Sequence, residues 1–181
     1  MIALGMVELN SIPKGIEAAD AMLKAADVQL TAAHSVCSGK YIAVVSGEVA
    51  AVRAAIDAGT ETAAEKLVDS IVIPNVHPQV ITAISSCTDV ENMNTVGIME
   101  TYSLAAAILA ADTAVKAADI TLIEIRLGRG LGGKAFITMT GEVAAVRASV
   151  AAAEGLDEIS GLMAESVVIP SPHKDLLTSL M

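Results

Sequence analysis

The sequence predicts an α/β protein made of two tandem copies of one βαββαβ unit, each an α/β sandwich. Three observations carry this. The octapeptide GEVAAVRA occurs at residues 47–54 and again at 141–148. Residues 5–28 align with 97–120 at 11 identities in 24, among them Gly5/Gly97, Glu8/Glu100, Asp20/Asp112 and Lys24/Lys116, and VIP at 72–74 returns at 168–170. The spacing between matched blocks grows only around Gly39/Gly133 and after the second helical stretch, where loops belong.

Each element follows from local pattern. GMVEL (5–9) is a short strand. From Lys14 or Gly15 to Ala26 the chain is rich in alanine, with apolar positions near a 3.6-residue spacing, hence a helix. VQLTAAHSV (28–36) and YIAVVSG (41–47) are strands rich in β-branched residues, separated by Ser38-Gly39. Glu48 to Leu67 is a second helix whose early glutamate suits the positive helix start. SIVIP (70–74) is a strand closed by Pro74, and Pro78 to Ile84 is a short last helix. The second copy repeats this grammar. The domains are expected at 1–88 and 94–181, joined by a linker near Ser85 to Thr95 that is polar and without periodicity.

Composition bounds the function. The chain of 181 residues is 54% apolar but only 2% aromatic, without Trp, so its core must be built from Ala, Val, Ile, Leu and Met. The mean hydropathy of +0.62 calls for a membrane test. The longest clean apolar run, Leu104 to Ala111, stops at Asp112, far short of the ~20 residues a span needs. The opening MIALGMVELN has no basic leader and meets Glu8 early, so no signal peptide and a cytoplasmic location are expected. The net charge of −10 argues against nucleic acid as partner. High hydropathy with few charges implies surface buried against further copies of the chain. In a reducing compartment Cys37 and Cys87 are not expected to form a structural disulfide.

The stretch LGMVELNSIPKGIEAADAMLKAADV, the glycine-containing hairpin, GEVAAVRAAIDAGTE and VIPNVHP together resemble the bacterial microcompartment shell domain. Both halves carry the resemblance, which covers nearly all of the chain. It implies two ferredoxin-like βαββαβ domains in the unpermuted strand order. It also implies a homotrimer imitating the six-fold tiles of single-domain relatives, located in a microcompartment shell beside other shell proteins.

Within that resemblance the hairpin SVCSGK lines a central pore, so three copies bring three Cys37 thiols together. The chain is similar over its length to the iron-sulfur tandem shell proteins of propanediol-utilisation microcompartments. That similarity implies one [4Fe-4S] cluster per trimer held by Cys37, with redox enzymes enclosed by the shell as further partners. Three thiolates are one short of a Cys₄ set, leaving one iron to water or an exogenous ligand. Taken without the resemblance, a single cysteine is more often a small buried hydrophobe than a ligand. Those relatives carry proline after the cysteine; here Ser38 stands there, which implies a freer loop.

The matching hairpin of the second copy, RLGRGLGGKA, has no thiol but contains G-x-G-x-x-G at Gly128, Gly130 and Gly133. Strand-like TLIEI precedes it and AFITMTG follows, whereas a dinucleotide fingerprint must open a helix, so nucleotide binding is set aside. Either the glycines let loops crowd a shared pore, with Arg129 adding positive charge, or this is a plain flexible hairpin. The expected pore-loop residues are Ser38, Gly39, Arg129, Gly130 and Leu131. Without a cluster, the same loops would form a gated pore for a polar metabolite.

The resemblance also places Lys24 and Lys116 at the tile edge. The family's Pro-Arg-Pro-His segment reads Pro74-Asn75-Val76-His77 and Pro170-Ser171-Pro172-His173 here, so its arginine is missing from both halves. His34 lies three residues from Cys37, a spacing that faces opposite sides of a strand, and reads as a packing or subunit-contact residue. Cys87 has no partner motif, and the eight Met are scattered core filling. An enzyme with Cys37 as nucleophile would need a base at a motif position, and none is recognisable. The protein is therefore expected not to be an enzyme.

Overall fold

The structure, a computed structural model, describes residues 2–85, 88, 90 and 93–177. The chain divides into two compact units: Met1–Ile81 together with Gly128–Gly133, and Thr82–Leu127 together with Lys134–Met181.

The first half runs β1 (Ala3–Leu9), α1 (Ile12–Ala25), β2 (Gln29–Val36), β3 (Lys40–Gly47), α2 (Val49–Ala63), β4 (Leu67–Ile73) and α3 (Pro78–Ser85). The sheet order is β2-β3-β1-β4, with every neighbouring pair antiparallel. Strand β1, hydrogen-bonded on both sides, is buried along its whole length. Its Ala3, Val7 and Leu9 join Ala18, Ala19 and Met22 of α1 and Val52, Ala55, Ile56 and Ala63 of α2 in one core. With so many alanines in that layer, the helices come close to the sheet, and any added methyl group is felt.

Two helix boundaries differ from the sequence expectation by two residues or more, one for a local reason and one through a distant strand pairing that also starts β4 at Leu67 and not at Ser70. Helix α1 begins at Ile12, because the Ser11 side chain accepts a hydrogen bond from the Lys14 N–H and Pro13 sits where a missing donor costs nothing. Helix α2 stops at Ala63 and does not reach Leu67. Ala64 turns to φ 48°, a 3-10 turn covers Ala64–Lys66, and Leu67 already pairs with Leu9 in the sheet. Strand pairing overrides the helical propensity of that stretch.

The second half repeats the order with β5 (Thr95–Thr101), α4 (Leu104–Ala117), β6 (Ile120–Leu127), β7 (Ala135–Gly141), α5 (Val143–Glu154), β8 (Met163–Pro170) and α6 (Lys174–Leu177). Its sheet order is β6-β7-β5-β8. Ser103 caps α4 as Ser11 caps α1, accepting from the Ala106 N–H. The repeated Asp/Lys pairs are ion pairs one helical turn apart, Asp20 with Lys24 at 2.6 Å and Asp112 with Lys116 at 2.5 Å. Each lysine lies in the last turn of its helix, where positive charge is favoured. Among the described residues no helix is long and apolar enough to cross a membrane. Cys87 and parts of the expected linker lie outside the described residues.

Candidate functional site

The site is built on two hairpin turns at matching positions of the two repeats. Strands β2 and β3 close their hairpin at the pair Val36 and Lys40, leaving the 3-10 turn Cys37–Gly39 between them. Both Ser38 (φ 67°) and Gly39 (φ 74°) are left-handed. Glycine adopts this region freely, whereas a serine there costs about 1 kcal/mol. Proline, whose ring holds φ near −65°, cannot adopt it. Ser38 thus specifies a different turn and not a looser version of a proline one.

The second hairpin closes at Leu127 and Ala135, and its loop has positive φ at Gly128, Gly130, Gly132 and Gly133. Glycines in this conformation turn successive backbone N–H groups toward one side, the geometry of an anion-binding concavity. Residues Gly128–Gly133 belong to the first compact unit, the one that holds Cys37. The Cys37 N–H donates to the Gly128 carbonyl at 2.9 Å, and the Gly130 N–H donates to Cys37 Sγ at 3.0 Å. Backbone N–H groups hold the thiol below its ordinary value, Gly132 most strongly, then Leu131, with Gly130 and Gly133 adding to them and partial burial opposing. Donors aimed at sulfur favour thiolate over thiol, the form that binds metal.

Each repeat places the lysine that follows its turn on a glutamate of its first strand. Lys40 Nζ is 2.7 Å from Glu8 Oε1, and Lys134 Nζ is 3.0 Å from Glu100 Oε2. Glu100 raises the Lys134 value, and the Lys134 ammonium also stands 5.7 Å from the Tyr102 ring centre.

Of the expected pore-loop residues, Ser38, Gly39, Arg129 and Gly130 are exposed and Leu131 is half-buried, as is Cys37. All six lie in the first compact unit. Lys24 lies there too, on α1, whereas Lys116 is on α4 of the second unit. His34 sits half-buried on β2 opposite Ile42. Among the described residues no three His, Cys, Asp or Glu side chains gather as a metal site, and Cys37 is the one free thiol there. Sequence reasoning missed Gly128, Gly132 and Gly133 as partners of Cys37, and missed the two Glu/Lys pairs. A signal for the pairs was present: each hairpin leaves on Gly-Lys, and each repeat keeps the glutamate.

A βαββαβ unit given twice is the architecture of the BMC domain. That family matches residues 3–76 and again 95–172, and the chain belongs to it as a tandem member. It is 44% identical over 174 residues to the bacterial microcompartment shell protein PduT of Citrobacter freundii, covering 96% of this chain and 95% of that one. The carboxysome assembly protein CcmO of Synechococcus elongatus is 33% identical over 195 residues, covering 98% of this chain and 68% of CcmO. The crystal structure of a microcompartment protein from Desulfitobacterium hafniense DCB matches with a TM-score of 0.94 and 52% identity, covering 98% of this chain and 99% of that one.

Proposed function

We propose that this chain is a non-enzymatic structural tile of a microcompartment shell, assembled as a trimer in which Cys37 of each copy holds one [4Fe-4S] cluster. The observation that carries the proposal is the Cys37 sulfur: it accepts a hydrogen bond from the Gly130 N–H and its thiol is biased toward thiolate by the loop around it. The residues fit the group, since iron-sulfur clusters are held by thiolates and tuned by hydrogen bonds to sulfur. Among the described residues Cys37 is the one free thiol and no further ligand gathers beside it, so a cluster at Cys37 draws on several copies. A bound cluster supplies one-electron chemistry. This chain's part is to present the sulfur, stabilise its negative charge with N–H donors, and add the positive charge of Arg129 from the same loop. Passage of electrons between the enclosed redox enzymes and the outside, or delivery of a cluster to them, follows from that role. The other shell proteins are its neighbours in the tiling.

The test is anaerobic purification from cluster-competent cells, followed by ultraviolet-visible and spin-resonance spectra with an iron count. The expected result is a brown trimer holding close to one cluster, with colour lost and fold kept in Cys37→Ala. A colourless, iron-free trimer would overturn the cluster. In that case the exposed Ser38, Gly39 and Arg129 favour the second reading, a metal-free tile with a gated pore for a polar metabolite.

A further inference from the structure

Resting on the reading of Cys37 as an iron ligand, we infer that the loop Gly128–Gly133 is the main-chain half of the sulfur site: it orients Cys37 Sγ and sets the reduction potential of what the sulfur binds. Two hydrogen bonds run in opposite directions between the same segments. Cys37 donates its N–H to the Gly128 carbonyl, and the sulfur receives the Gly130 N–H. This reciprocal clamp fixes both the backbone of the cysteine and the direction of its side chain.

The glycines serve backbone direction and not space within the chain. A Cβ added at Gly130, Gly132 or Gly133 would meet no atom within 4 Å, yet all three have φ between 63° and 91°. The two hairpins have divided one task between them. The first-repeat turn carries sulfur and the single Gly39; the second-repeat loop carries no sulfur and four left-handed glycines. An N–H dipole aimed at a thiolate stabilises the more negative, reduced form of a bound cluster, so the loop raises the reduction potential.

Two measurements test this. In the metal-free protein, amide hydrogen exchange at Gly130 is expected to quicken by about tenfold in Cys37→Ala, while the Cys37-position amide, still bonded to Gly128, stays protected. Unchanged exchange at Gly130, or loss of protection at both amides, overturns the clamp. In the cluster-loaded protein, Gly130→Val, which cannot hold positive φ, is expected to shift the potential negative by up to about 59 mV, a tenfold change for one electron. Gly130→Asn, which tolerates that backbone, should restore the parent potential. Gly161→Val imposes the same kind of strain at φ 75° in the second unit and should leave the potential unchanged. Equal potentials in Gly130→Val and the parent overturn the tuning role. Absence of any cluster in the parent would instead refute the ligand role of Cys37, with the exchange result still judging the clamp.

Discussion

A methyl group of Val52 occupies the space that a side chain at Gly5 would need: a Cβ there would lie 2.8 Å from it, and 2.6 Å from the Ile56 side chain. Val146 stands to Gly97 in the same relation, at 2.7 Å. Gly5→Ala and Gly97→Ala should each overpack a helix–sheet layer and cost about 1–3 kcal/mol. Urea midpoints of the two variants check this, and an unchanged midpoint would show that the layer yields freely.

The Glu8 carboxylate is 4% exposed and relies on Lys40, itself 27% exposed. Lys40→Met strands a buried acceptor and should cost about 1–3 kcal/mol. Lys134→Met removes a pair whose members are both more than a third exposed and should cost much less. Because the Lys134 value is raised, its small contribution is present below the ordinary lysine range and is lost as pH rises through the folded-state value. Denaturation of both variants at neutral and strongly alkaline pH separates the two pairs.

At Ser38 the backbone, not the side chain, decides. Ser38→Gly should lie within about 1 kcal/mol of the parent and on the stable side, since relief of left-handed strain exceeds the added freedom of the unfolded chain. Ser38→Pro should destabilise by more than about 1 kcal/mol and move Cys37 away from the glycine loop. Thermal melts, with the Gly130 amide as reporter, distinguish the two.

The lowered Cys37 value has a definite pH signature in the metal-free protein. A depressed thiol stabilises the fold above the unfolded thiol value, and that contribution is lost as pH falls through the folded-state value. The stability difference between the parent and Cys37→Ser should therefore shift in the parent's favour from mildly acidic to alkaline pH. A difference that does not change with pH would contradict donor bonds to the sulfur.

Lys24 gives a clean test of the tile edge. Its ion pair with Asp20 is widely open to solvent, at 74% and 59% exposure, so Lys24→Ala should change folding by no more than about 0.5 kcal/mol. Lateral association into sheets should nonetheless be lost, as seen by sedimentation and electron microscopy. Sheets unchanged by the substitution would remove Lys24 from the edge. Lys116 is less suitable, because its partner Asp112 is buried.

Much of the fold was legible because its signals are local. Alanine-rich helices and β-branched strands announce their periods within a few residues, and the two repeats check each other. The repeat identities have physical content that spacing alone did not reveal: Gly5/Gly97 receive a helix valine and Glu8/Glu100 hold the hairpin lysines. The end of α2 was misread because a strand pairing set it, and pairing depends on residues such as Leu9, far away in the sequence.

By itself the sequence determined the duplication, the order of elements in each half and the presence of Cys37 in the first hairpin but no thiol in the second, since each is written in contiguous residues. Only the tertiary structure decided that Gly128–Gly133 joins the compact unit of Cys37 and aims the Gly130 N–H at the sulfur. The physical reason is that a backbone hydrogen bond leaves no trace in side-chain chemistry. Gly130 and Cys37 stand 93 residues apart, and a run of left-handed glycines reads in sequence as freedom until the chain folds and gives it a direction.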